Sequence, residues 1–111
     1  MKRIEALIDP CEMEQIKNAL IKIGIQRMRI SQIDEFESQK YHKLVYRGTD
    51  YMIYVVKEFK IEFMVTTDEM LSQVIDAIKK NTKAKNIEDR EIYVSPVEQV
   101  IELGAHPSHS V

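Results

Sequence analysis

Gln39–Tyr51, QKYHKLVYRGTDY, separates two candidate strands yet reads poorly as strand or helix. Lys40, Lys43, Arg47 and His42 sit among Tyr41, Tyr46 and Tyr51. Gly48-Thr49-Asp50 supplies turn chemistry. A connection this long in a small domain is usually a lid or a binding loop. A hairpin with long arms is the plainer reading, with Val45-Tyr46 and Met52–Val56 pairing across the turn. The two readings are compatible, because a hairpin arm can also be a binding loop.

Before this stretch lie a strand, a helix and a strand. Lys2–Ile8 alternates, with Ile4, Ala6 and Ile8 on one side and Arg3, Glu5 and Leu7 on the other. Asp9-Pro10 opens a helix, with Asp9 as cap and Glu12 three residues on. Met13, Ile16, Leu20 and Ile23 form its apolar stripe, and Gly24 closes it. Ile25–Phe36 is expected as the second strand, with Arg27 and Arg29 on one face and Met28 and Ile30 on the other.

After it come a strand, a helix and closing strands. In Phe59–Val65, Phe59, Ile61, Phe63 and Val65 point one way, and Lys60, Glu62 and Met64 the other. Thr66 is expected to cap the second helix, with Glu69 in the capping-box position. Leu71, Val74 and Ile78 form the stripe, and Lys79-Lys80 suit the negative helix end. Glu91–Val94 and Val97–Leu103 are expected as two closing strands broken at Ser95-Pro96. The resulting order, β-α-β-β-α-β, predicts an α+β ferredoxin-like sandwich: an antiparallel sheet with both helices on one face. The open face then needs cover, and self-association is the simplest source.

Composition limits the function classes. A chain of 111 residues that is 44% hydrophobic supports one domain with a core. A net charge of −2 points to neither nucleic acid nor an anionic membrane. No apolar run is long enough to span a bilayer, so a cytoplasmic protein without membrane insertion is expected. Lone Cys11 fits a reducing compartment. Its place in a first helical turn can lower a thiol pKa, but no partner histidine can be named, and a structural cysteine is the better reading. An RNA-binding sheet would carry aromatics where Lys60, Glu62 and Met64 stand. His106 and His109 on the tail are weak metal candidates, and Asp34, Glu35 and Glu37 read as a solvated acidic turn. No catalytic constellation emerges, and the chain is not expected to be an enzyme.

At Ile23-Gly24-Ile25-Gln26, at Gln39-Lys40 and at Tyr46-Arg47-Gly48-Thr49-Asp50-Tyr51, the chain resembles the PII signalling family. Lys2–Ile8, Lys60-Ile61-Glu62 and Glu91-Ile92-Tyr93-Val94 continue the likeness over the whole chain, with a short insertion near Lys83. The resemblance implies one domain over 1–111, a T-loop excursion at 37–55 and a loose tail at 104–111. It implies a homotrimer whose sheets line a central barrel. It implies that the T-loop, with Gln39, Lys40, His42, Arg47 and Tyr51, docks into a membrane transporter or metabolic enzyme and regulates it. Tyr51 matches a tyrosine that some members have nucleotidylylated. Gln39 matches a residue that helps hold a metal and 2-oxoglutarate beside ATP.

The effector cleft departs from that pattern. Family glycines are replaced by Glu35 and Glu37, an arginine by Ser38, and the lysine that grips 2-oxoglutarate by Glu58. The glycine-rich B-loop becomes Lys83–Arg90 without glycine, where Lys85 and Arg90 remain as cations. Two arginines that reach ATP across the subunit boundary become Glu102 and Gly104. A triphosphate needs backbone N–H groups and cations. A carboxylate ~4 Å from a phosphate at an effective dielectric near 20 opposes binding by on the order of 4 kcal/mol, roughly three decades of affinity. ATP with 2-oxoglutarate is therefore expected to bind weakly or not at all. ADP or another adenine nucleotide, held through its base near Met28, Met64 and Lys85, stays open. A small trimeric metal- or small-molecule-binding protein of the same fold is the alternative reading.

Overall fold

The computed structural model describes residues 1–38, 53–82 and 91–104, with side chains left aside at 36–38 and 53–56. Strand β1 is Lys2–Ile8, followed by a 3-10 turn at Pro10–Glu12 and helix α1 at Met13–Ile23. Strands β2 (Arg29–Ser38) and β3 (Ile53–Val65) follow, then helix α2 (Asp68–Lys80) and strand β4 (Ile92–Pro96). The sheet order is β2-β3-β1-β4, and all three pairings are antiparallel.

The alternation in β1 and β3 builds the core. Ile4, Ala6 and Ile8 from β1 and Ile61, Phe63 and Val65 from β3 are buried on one sheet face. Met13, Ile16 and Leu20 of α1 and Val74 and Ile78 of α2 join them in a single cluster, so both helices cover that face. At about 25 cal/mol per Å² of apolar surface removed from water, this cluster dominates stability. The open face is a charged lattice. Arg3 pairs with Glu62 and lies 3.5 Å from Glu5, and Lys60 lies 3.7 Å from the same Glu5.

Several expected boundaries move, each for a local reason. The second strand starts at Arg29 rather than Ile25, because Ile25 completes the end of α1. Its N–H donates to the Leu20 carbonyl, and the Gly24 N–H donates to that of Ile21. These are the two bonds of a Schellman motif, with Gly24 at φ +117°. Asp9 caps the 3-10 turn, accepting from the Cys11 N–H at 2.9 Å, and α1 proper begins at Met13. Thr67, not Thr66, caps α2, its hydroxyl accepting from the Met70 N–H at 3.0 Å. β3 starts at Ile53, well before Phe59, and Ile53–Val56 pair with Glu35–Ser38 rather than with Val45-Tyr46, which lie outside the described residues. A single closing strand contains Ser95 and Pro96, and residues 97–103 form no strand. Pro96 is tolerated at the last position of an edge strand, where its missing N–H leaves little unmade.

Candidate functional site

The β2–β3 ribbon outruns the sheet. β1 pairs only with Phe59–Val65 of β3, whereas β2 stays paired down to Ile53. Six residue pairs, from Ile33↔Glu58 to Ser38↔Ile53, thus have no third strand beside them. At about 3.3 Å per residue the ribbon projects on the order of 20 Å. Residues 39–52 connect its two arms, and the bases of the 37–55 excursion are strand.

The ribbon is acidic on one face. Glu35 stands opposite Val56, and Glu58 stands opposite Ile33, which makes the two glutamates diagonal neighbours. Glu58 is buried and Glu35 half-buried. Glu37 and Ser38 pair with Tyr54 and Ile53 farther out. Asp34 stands opposite Lys57. Gln39, Lys40, His42, Arg47, Tyr51, Lys85 and Arg90, with His106 and His109, lie outside the described residues.

The other residues expected at the effector cleft fall elsewhere. Met64 is at the opposite end of β3, six residues or about 20 Å from Glu58. Met28 is half-buried against the core, just before β2. Glu102 is exposed on the segment after β4. Within one chain Glu35 and Glu58 lie together on the ribbon, and Met64 lies at the far end of β3 from them.

Met64 borders a cavity of about 480 Å³. Arg3, Arg27, Arg29 and Glu62 supply its charge, and Ile25, Phe63, Met64 and Met70 its apolar wall. The Arg3 guanidinium holds the Glu62 carboxyl below its usual range, chiefly by donating a hydrogen bond to it. Sequence reasoning placed Arg27 and Arg29 on one strand face without assigning them a site. The overlooked signal was their alternation close to Met28 and Gly24. A second cavity of about 550 Å³ lies between α2 and the β1–β4 pair, with Ile75, Ile78 and Ile92 among its lining.

One minor chemical expectation is also answered. Cys11 is exposed, not structural. Its thiol pKa is raised, chiefly by a hydrogen bond with Asp9, so the helix start does not activate it. Among the described residues no group of three or more His, Cys, Asp or Glu side chains could hold a metal ion. No described helix is long and apolar enough to cross a membrane.

The arrangement of four strands, two helices and a projecting ribbon has relatives. A family model described as nitrogen regulatory protein P-II matches residues 1–106. The chain belongs to the P-II family. It is 38% identical to the nitrogen regulatory protein P-II of Rhodobacter capsulatus over 103 residues, covering 93% of this chain and 91% of the relative. The P-II protein of Pasteurella multocida is 37% identical over the same coverage. Among solved structures, B. subtilis GlnK superposes with a TM-score of 0.68 at 28% identity, covering 87% of this chain and 84% of the other. The B. subtilis GlnK–ATP complex gives a TM-score of 0.69 at the same identity and coverage. The α+β ferredoxin-like fold and the P-II assignment agree with the expectations from sequence.

Proposed function

We propose that this P-II protein is a non-enzymatic regulator that assembles as a homotrimer and controls a transporter or metabolic enzyme through Gln39–Tyr51. The observation that carries this reading is the ribbon: six strand pairs with no neighbouring strand, joined at the far end by that sequence. A ribbon this long carries its ends at Ser38 and Ile53 beyond the sheet, which suits presenting the intervening sequence to a partner. Arg47 is the proposed anchor, since a guanidinium pairs with carboxylates or carbonyls deep in a cleft. Tyr51 is the proposed switch, since a nucleotidyl group there would add bulk and negative charge to an inserting surface. Three loops on a trimer would gain through effective concentration.

The effector response is proposed to differ from that of relatives. ATP is the ligand of the B. subtilis GlnK complex. Here Glu35, Glu37, Glu58 and Glu102 stand where cations and glycines are expected, and the diagonal placement of Glu35 and Glu58 supports a local field hostile to phosphate. Calorimetry should show ATP binding far weaker than low micromolar, with no gain from 2-oxoglutarate.

The test of the regulatory reading is a pull-down from the native host. Wild type should recover a transporter or metabolic enzyme, and Arg47→Ala, Tyr51→Ala and a deletion of Lys43–Asp50 should lose it. Equal recovery by all four proteins would remove the loop as the contact. Light scattering that gives a stable 13.0 kDa monomer would remove the trimer.

A further inference from the structure

We propose that the cleft between α2 and the β1–β4 pair binds a straight-chain aliphatic monocarboxylate. The chain would lie among Ile75, Ile78, Ile92 and Val94, and the carboxylate at Lys79. The cleft shares no lining residue with the cavity beside Met64. The inference goes beyond the regulatory reading above and does not depend on it.

The cleft follows from how the sheet is covered. Helix α2 packs on α1 and β3, and its Val74 and Ile78 belong to the core. Strand β4 is the sheet edge beyond β1. Ile92 pairs with Ala6 and Val94 with Ile4, so both apolar β4 side chains stand on the helix-covered face. Ala6 is the small member of the inward row Ile4, Ala6 and Ile8, and its missing bulk leaves depth. The resulting cavity of about 550 Å³ falls within the range of small-ligand sites. Val94 stays 39% exposed, an apolar rim open to solvent.

The walls select the body of the ligand. The apolar lining is aliphatic: Ala6, Leu7, Ile75, Ile78, Ile92 and Val94. With no aromatic side chain among the described lining, a flat ring gains no stacking there. Each methylene of a chain still gains burial.

The polar end selects the head group. Lys79, Thr82 and Glu91 complete the lining. The Tyr93 hydroxyl donates to Glu91, so that carboxylate is already engaged. Lys79 forms no ion pair among the described residues. Carbonyls of the last turn of α2 would repel an anion, yet two of them are occupied. The Asn81 amide donates to the Ala77 carbonyl at 2.8 Å, and the Thr82 hydroxyl to that of Ile78 at 2.6 Å. One cation beside one engaged carboxylate suits a single negative charge and disfavours a dianion.

Octanoate is the probe, with butyrate as the short-chain control and 1-octanol as the uncharged one. Binding would be followed by the isoleucine methyl resonances of the full-length protein. The expected octanoate Kd is on the order of 0.1 mM, with shifts centred on Ile75, Ile78 and Ile92. Butyrate should bind at least about tenfold more weakly, since each methylene contributes burial. Octyl phosphate should also bind more weakly than octanoate. Lys79→Gln should weaken octanoate about threefold to fivefold and leave 1-octanol unchanged. Lys22→Gln, an exposed lysine outside the cleft, should change neither. Val94→Glu should abolish octanoate binding by setting a carboxylate on the rim. Lys79 and Val94 are exposed, so these variants should fold, and an unchanged thermal midpoint checks that. No shift of the three isoleucines at millimolar octanoate would show that another part of the protein, or a second copy, already fills the cleft, and would overturn the inference. An equal Kd for butyrate, or an equal octanoate Kd in Lys79→Gln, would overturn it as well.

Discussion

The body of this P-II protein and its projecting ribbon are continuous strands built on opposite terms. In β3, Ile61, Phe63 and Val65 are buried against two helices. Farther along the same strand, residues 53–58 have no β1 residue paired with them. Stability is concentrated where the sheet is covered. The ribbon depends on two-strand pairing, which is marginal alone. Its sequence is therefore free to change sign, from the glycines and lysine expected of the family to Glu35, Glu37 and Glu58, without endangering the core.

The strongest way to break this contrast is to damage each region and compare. Ile61→Ala should lower unfolding free energy by about 2–5 kcal/mol, through lost burial and an unfilled cavity. Deleting Lys43–Asp50 should change it by less than about 1 kcal/mol, since the entropy of closing a connection depends only weakly on its length. Urea denaturation of both variants decides. A loop deletion as costly as Ile61→Ala would mean the ribbon is part of the core's cooperative unit.

Gly24→Ala comes next, with an expected loss of about 1–3 kcal/mol. A Cβ there meets only the Met70 Cε, at 3.9 Å, which is ordinary contact. The cost is therefore conformational, set by φ +117°. Thr67→Ala should cost about 1 kcal/mol, the usual value of a lost N-cap. Thr66→Ala should stay within about 0.5 kcal/mol. Thermal midpoints of the two threonine variants would confirm which hydroxyl caps α2.

The smallest effect concerns the charged face. Arg3 holds Glu62 below its ordinary pKa, so the folded state favours the ionised carboxylate. That contribution is present above the unfolded value of about 4.3 and fades as pH falls through the lower folded value. Arg3→Gln should flatten the acid limb of a stability-against-pH curve and leave the alkaline side unchanged. An unaltered acid limb would show that the pair is not coupled to folding.

Where a residue has a buried side, the sequence was readable. Ile4, Ala6 and Ile8, the α1 stripe and Phe63 and Val65 all fell where their period put them. The misreadings occur where apolar residues serve another purpose or none within one chain. Ile25 is apolar because it finishes a helix end, not because it begins a strand. Val97, Val100, Ile101 and Leu103 look like a strand, yet no described strand pairs with them, and Leu103 is 97% exposed. The ribbon arms hid because a two-stranded extension needs no alternation. The acidic pair Glu35–Glu58 was found through the family likeness. Arg27 and Arg29 were passed over because a charged alternate face usually means solvent.

The sheet also sets an order of assembly in time. β1 is one of the two inner strands, and its neighbours are β3 and β4. Ile4 faces Val94 across about 90 residues of intervening chain. Such long closures slow folding relative to local contacts. A nascent chain leaving the ribosome must hold β1 with one edge unpaired until residues 92–96 emerge. During that interval the Ile4–Ile8 edge is exposed, and a copy from a neighbouring ribosome offers the same strand.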